Sequence, residues 1–430
     1  MTRIAGRTLT LSALLAASAL FNGCDSESTV DAGPGDASLP DAGFDAGPPL
    51  RDAGPPPPPT EAFPDQCTPG EAPDDACFRS RRDPGSDEVA LATELANRFM
   101  AEHAPATLPW DWSQAVLVHG LLELYRVTED PALADYAAAW LESHITAGYP
   151  LQWSDHCPPA LAAMALQRRE ASAEYAQVVQ AVLDYYLVAP RTDAGGIGHL
   201  GFLGRTNPSQ WLDSLMMIGV PLARWGEQSN DPQWIDEASA QAQIFTDTMQ
   251  EASGFYVHAY AWVGASQDEN VYWARANGWV LFALHEILRV HRVRGSSAPE
   301  LEAATAQLSA AVIAAQDPDS GLWWQVVNRP GETFLETSAA ALFAQGLARG
   351  VRYGHRDRSA IAAVDAAIVG IRSRIRRDDM GRPVVTGISG PTMVGGFDYY
   401  ASIPVEEDVP FGVGTVILAL VEASGLDALP

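Results

Sequence analysis

From Glu88 onward, apolar residues recur at spacings of three and four, the signature of helices with one buried face. The pattern predicts helices over Glu88 to His103, Trp112 to Val127, Pro131 to Ile145, Ala160 to Arg169 and Ala173 to Leu187. It continues over Trp211 to Gly226, Trp234 to Met249, Arg275 to Val293, Pro299 to Ala315 and Thr337 to Val351. Strand signals are sparse. The connections carry Gly, Pro and Asp, as in Asp317-Pro-Asp-Ser-Gly321 and Gly195-Gly-Ile-Gly198.

A weak repeat organises these helices. Segments beginning near Trp110, Trp153, Trp211, Trp273, Phe334 and Val409 each run into a helix rich in small apolar residues, and most hand over to a more amphipathic one. A helix that is apolar all round belongs inside, and its amphipathic partner outside with its polar face in water. Six such pairs predict an all-α chain closed as an (α/α)6 toroid. Asp111, Asp155, Asp213, Asn277 and Glu336 then stand at or near inner-helix starts on one rim. Each alone reads well as a helix cap. Four carboxylates converging on one concave rim repel one another, and a fold retains that arrangement most readily for chemistry.

The amino terminus reads differently. Arg3 and Arg7 precede an apolar stretch from Leu9 to Phe21 that is too short to span a bilayer, which marks residues 1–24 as an export signal. Leu20-Phe-Asn-Gly-Cys24 resembles a bacterial lipoprotein box, so lipid attachment at Cys24 and simple cleavage nearby both stand open. Residues 25–64 repeat Asp-Ala-Gly and end in the run Pro55 to Pro59, the composition of a disordered, extended linker. Residues 65–430 are expected to form the (α/α)6 domain that carries any catalytic function, read as a monomer on a tether in the periplasm or at the cell surface. A Cys67–Cys77 bridge suits an exported chain, and Cys157 is left as a buried thiol.

A formal charge of −27 argues against nucleic acid as a partner, because phosphate backbones reward clustered cations. It also repels acidic ligands at long range, so an anionic substrate has to be held by local cations such as Arg275 or Arg205. No His-x-x-x-His or Cys-x-x-Cys spacing and no cofactor loop occurs, and neither metal nor cofactor is implied.

Asp213 is the lone carboxylate opening an otherwise apolar run, Trp211-Leu-Asp-Ser-Leu-Met-Met217, where burial is expected to raise its pKa. Trp273-Ala-Arg-Ala-Asn-Gly-Trp279 then offers a cation, an amide and two indoles, the groups an anionic sugar needs.

These two motifs, with Pro221-Leu-Ala223, His258-Ala-Tyr260, Asp317-Pro-Asp-Ser-Gly-Leu-Trp-Trp-Gln325 and Glu336-Thr-Ser338, resemble glycoside hydrolase family 105 over roughly residues 90 to 425. Its members are the unsaturated rhamnogalacturonyl hydrolases, relatives of the family 88 unsaturated glucuronyl hydrolases. The resemblance implies an exo-acting hydrolase that removes the 4,5-unsaturated uronic acid a lyase leaves on pectin-like or other uronic-acid oligosaccharides. In such enzymes an aspartic acid protonates the vinyl ether at carbon 4, water adds at carbon 5, and the hemiketal opens. Carried over by motif, the acid is Asp213, and Asp155 in Trp153-Ser-Asp-His156 holds the ring hydroxyls and helps place water. His199, His258, Arg275, Asn277 and Glu336 are implied around the sugar, with Trp211, Trp273, Trp279 and Trp324 as stacking platforms. Ala261 stands where the family often has an acid. Two other readings remain: an (α/α)6 glycosidase using Asp155 and Asp213 as separate acid and base, and a tethered glycan-binding lipoprotein without turnover.

Overall fold

Residues 82–428 are described in the computed structural model; the export segment, the linker and Cys67–Cys77 lie outside the described residues. The long helices are α1 (Asp87–Glu102), α2 (Trp112–Thr128), α3 (Pro131–Ala147), α4 (Pro159–Arg169), α5 (Ala173–Val188), α6 (Val220–Ser229) and α7 (Pro232–Met249). They continue as α8 (Ala274–Val293), α9 (Pro299–Ala314), α10 (Thr337–Arg352), α11 (Ile361–Ser373), the short α12 (Phe397–Ser402) and α13 (Pro410–Ala423).

The inner helices are α2, α4, α6, α8, α10 and α13. Each packs on the next, and α13 returns to pack on both α2 and α1, which closes the ring. Every residue of α10 is buried, as are all but one of α8, so a helix without a polar face does sit inside. The outer helices start on local signals: Asp130 accepts from Ala132 N ahead of Pro131, and Asp231 accepts from Gln233 N ahead of Pro232. The chain folds as the predicted (α/α)6 toroid. Helix α11 escaped the periodicity reading, although Ile361, Val364, Ala367, Ile368 and Ile371 form its buried stripe.

Ring closure depends on two glycines. A side-chain carbon on Gly120 of α2 would lie 2.9 Å from the carbonyl of Gly414 in α13, and one on Gly414 would lie 2.6 Å from Cα of Leu117. The backbones approach too closely for any side chain at either point.

Toward the carboxyl ends of the inner helices, buried charges alternate around the ring. Arg224 of α6 bridges Glu123 of α2 and Glu286 of α8 at 2.8 Å each, Arg349 of α10 reaches Glu286, and Arg349 meets Glu422 of α13 at 2.7 Å. Arg82, Arg289 and Arg352 complete the set. All 27 basic residues of the chain are arginine, whose planar fork suits such multiply paired, dry positions. The arginines hold Glu123 and Glu286 well below the usual glutamate range, and Glu422 is drawn down to about 2 against the opposing push of burial.

Four two-stranded ribbons carry rim segments: β1 (Gln210–Trp211) with β2 (Ala259–Tyr260), β3 (Trp323–Trp324) with β4 (Leu335–Glu336), β5 (Ile375–Arg377) with β6 (Pro383–Val385), and β7 (Ile388–Ser389) with β8 (Val405–Glu406). The helix predicted from Trp211 therefore begins two residues later. Its first turns widen to a π-helix over Leu215–Gly219, with Val220 N–H donating to Leu215 O. Pro221 lies just beyond; it has no N–H to give and its ring crowds the preceding turn, which an expanded turn relieves.

Candidate active site

The register of β1 with β2 sets Trp211 opposite Ala259, which brings Asp213 and His258 together across the ribbon. Leu212 N–H donates to His258 O at 3.1 Å and fixes that approach. His258 Nε2 lies 3.2 Å from Asp213 Oδ2, and its Nδ1 lies 2.8 Å from the hydroxyl of Tyr400.

His199 arrives on the loop between α5 and β1. Its backbone is tied at both ends, donating to Ser209 O at 2.8 Å and accepting from Ser154 N at 3.0 Å. Its ring stacks on Trp211 with centroids 4.5 Å apart, Nδ1 lies 3.0 Å from Ser214 Oγ, and Nε2 lies 3.6 Å from Asp155 Oδ1. Ser214 Oγ also donates to Ser154 Oγ at 3.1 Å, linking the two aspartate-bearing segments. Asp111 caps α2 by accepting from Trp112 N at 2.8 Å, and it lies near enough to act on Asp155 electrostatically. Thus Asp111, Asp155 and Asp213 do converge.

Their environments push the carboxyls apart. Burial first, then the charges of Asp111 and Asp213, raise Asp155 well above the aspartate value, and only 8% of the residue is exposed. Burial also pushes Asp213 up, but the hydrogen bond to His258 and the charges of His258, His199 and Arg275 outweigh it. Asp213 ends below the ordinary value with 16% of its side chain accessible. The raised pKa expected at Asp213 therefore falls on Asp155, because the sequence could not show that His258 would be its partner. Burial brings His199 down to about 4.

The expected sugar ligands divide. Trp211 and Trp273 wall the two histidines: the Trp211 ring meets His258 edge-on at 5.8 Å, and Trp273 lies 4.8 Å from His258. Arg275 is buried, its guanidinium donating to the carbonyls of Ser389 and Gly390 and stacking 4.5 Å over Trp273. It acts on Asp213 through its charge while pinning the loop after β7. Asn277, expected to face hydroxyls, is fully buried in the first turn of α8 and bonds Tyr256 N, Tyr256 O and Trp273 O. Glu336 is the N-cap of α10, accepting from Ser338 N, Ala339 N and Ser389 N. Trp279 is buried edge-on against Trp112, and Trp324 is half-buried on β3 opposite Leu335. Arg275, Asn277, Glu336 and Trp279 serve as braces in this arrangement, because a rim reading of the sequence cannot separate a helix-start residue that faces the cleft from one that caps or packs inward. Arg205 is exposed on Phe202. Cys157 is free and fully buried, and burial beside Asp155 raises its thiol pKa, which suits the inert reading.

Sequence reasoning missed Tyr400, Ser154, Ser214 and Trp262. Ser214 adjoins Asp213 and was open to notice; Tyr400 is 142 positions from its partner and carries no local signal. Trp262 packs edge-on at 5.2 Å against Trp211, presented by Ala261 in a left-handed conformation at φ 57°.

A closed six-pair toroid with carboxylates and histidines gathered beside tryptophans at one rim fits an (α/α)6 glycoside hydrolase. The chain belongs to glycosyl hydrolase family 88, whose model matches residues 91–426. It is 24% identical to the unsaturated rhamnogalacturonyl hydrolase YesR of Bacillus subtilis, over 77% of this chain and 94% of that protein. A family 105 glycoside hydrolase of C. acetobutylicum ATCC 824 superposes with a TM-score of 0.70 at 22% identity, over 77% of this chain and 98% of the other. The unsaturated glucuronyl hydrolase of Bacillus sp. GL1, responsible for degradation of glycosaminoglycan, gives a TM-score of 0.63 at 18% identity, over 77% and 95%.

Proposed function

We propose that this enzyme releases a terminal 4,5-unsaturated uronic acid from lyase-generated oligosaccharides by hydrating the double bond, with Asp213 as the acid. The carrying observation is the pairing of Asp213 with His258 beside Asp155, in a family with a rhamnogalacturonyl and a glucuronyl relative that both act on unsaturated sugars. The uronate binds at the accessible face of Asp213, where the charge of the buried Arg275 offsets its own. Entry expels water and adds a negative charge, and both effects raise Asp213. Asp155, raised by burial and by the charges of Asp111 and Asp213, is the neighbouring group from which Asp213 draws its proton once the ligand is bound. Asp213 then gives a proton to carbon 4, accepts one from the water that attacks carbon 5, and ends in its starting state. The hemiketal at carbon 5 opens and expels the neighbouring sugar. Asp155 and His199 line the ring hydroxyls.

A specific observation favours a second assignment: carboxyls whose pKa values are driven apart often mark acid and base. In that reading Asp155 is the acid and Asp213 activates water. The loss of ultraviolet absorbance from unsaturated oligosaccharides, measured beside their saturated counterparts, tests the function itself. Turnover of the unsaturated forms alone is expected; cleavage of the saturated forms would favour an ordinary acid–base glycosidase.

Export is read from Arg3, Arg7 and the apolar stretch after them, with lipid attachment at Cys24 or cleavage nearby as its two outcomes. In this reading the acidic linker holds a monomeric enzyme off a membrane.

A further inference from the structure

Tyr400 sits on α12, far in sequence from the rest of the site, yet it is 1% exposed and stacks parallel to Trp273 with ring centroids 6.1 Å apart. Its hydroxyl has two partners: Gly395 N–H donates to it at 3.2 Å, and His258 Nδ1 lies at 2.8 Å. The backbone donor takes one of its lone pairs, so the phenolic hydrogen needs an acceptor, and His258 Nδ1 is the one within reach. A buried hydroxyl hydrogen without an acceptor is costly. Helix α12 is pinned independently by Phe397 N–H to Asp268 Oδ2 at 2.6 Å, and the loop before it by Arg275 on the carbonyl of Gly390.

We infer that Tyr400 is a positioning residue which donates to His258 Nδ1, holds the uncharged form of that imidazole as the tautomer with its hydrogen on Nε2, and thereby confines any proton carried by Asp213 to Oδ1. The inference rests on the assignment of Asp213 as the acid.

The chain of donors runs one way. Tyr400 O–H points to Nδ1, and Nε2–H points to Asp213 Oδ2. An oxygen that accepts from Nε2–H cannot at the same time hold a proton aimed at that nitrogen. In the opposite tautomer, Asp213 would donate its proton to Nε2 and withhold it from the substrate. Tyr400 removes that option without itself touching the sugar or exchanging a proton. The charged and titratable groups facing this chain are Asp213 and His199 beside His258, Arg275 below Trp273, and Asp268 and Tyr399 beside Tyr400.

Tyr400→Phe keeps the ring on Trp273 and deletes only the hydroxyl. With an unsaturated oligosaccharide as substrate, kcat is expected to fall about 10- to 100-fold, within the range a positioned acid contributes, while KM stays within about twofold. The second readout needs no turnover: nitrogen-15 spectra of histidine-labelled protein at pH 8 should show His258 with its hydrogen on Nε2 in the wild type. The Tyr400→Phe protein should show that tautomer lost or mixed. Wild-type kcat in the variant, or a wild-type His258 carrying its hydrogen on Nδ1, overturns the inference. If no unsaturated uronide is turned over at all, the functional assignment fails on its own, and the tautomer spectra still decide whether Tyr400 sets His258.

Discussion

His258 Nε2 stands 3.2 Å from Asp213 Oδ2, and this contact governs the charge state of the free site. It draws Asp213 down, while burial and the charges of Asp111 and Asp213 drive Asp155 up. Replacing His258 with Gln removes the imidazole that draws Asp213 down, so Asp213 should titrate at higher pH than in the wild type. Carboxyl carbon-13 shifts followed across the acid range check the direction, and an unchanged Asp213 would remove His258 as the cause.

In the proposed mechanism Asp155 gives activity an alkaline limit. Its pKa is raised, so the carboxyl is protonated below that value and ionises as pH rises through it; kcat/KM should decline on that limb. Asp155→Asn cannot titrate. The variant should lose the limb along with most of its rate, on the order of 10²- to 10⁴-fold. A limb that persists at the same pH in Asp155→Asn would assign it to another group.

The alternating charges at the far end of the ring predict acid sensitivity. Glu123, Glu286 and Glu422 are all held below their ordinary value, Glu422 at about 2. Groups lowered on folding stabilise the protein above the unfolded pKa of about 4.3, and that contribution is lost as pH falls toward the folded value. Thermal unfolding temperature should therefore drop steeply between those two points. Glu286→Gln leaves Arg224, Arg289 and Arg349 short of a counter-charge and should cost about 3–5 kcal/mol in denaturant unfolding.

Ring closure gives a steric prediction. Gly414→Ala places a methyl 2.6 Å from Cα of Leu117, so α13 must move off α2 at a cost of about 1–3 kcal/mol. Ala261→Gly should act in the opposite direction, relieving a left-handed alanine by up to about 1 kcal/mol. Calorimetry on the two variants reads both signs.

How far the sequence carried this picture depended on range. Helix periodicity and Asp-Pro starts are local, and they were enough for the toroid and for its inner and outer layers. The rim carboxylates followed, because helix starts of alternate helices share one end. What could not be read was direction: Asn277 and Glu336 start inner helices as Asp213 does, yet they turn inward to brace Tyr256 and Ser389. Nor could the pairings that set charge be read, since His258 and Tyr400 reach Asp213 only through a two-residue ribbon and a distant loop. For that reason the raised carboxyl expected at Asp213 falls on Asp155.

The central claim is that Asp213 protonates the alkene of a captured unsaturated uronide. Its most direct test follows the ultraviolet band of lyase-digested rhamnogalacturonan, ulvan or glycosaminoglycan with wild-type and Asp213→Asn enzyme at matched, saturating substrate. The band should vanish with the wild type and persist with the variant, which still binds the oligosaccharide. A band that decays equally with both proteins would contradict the account.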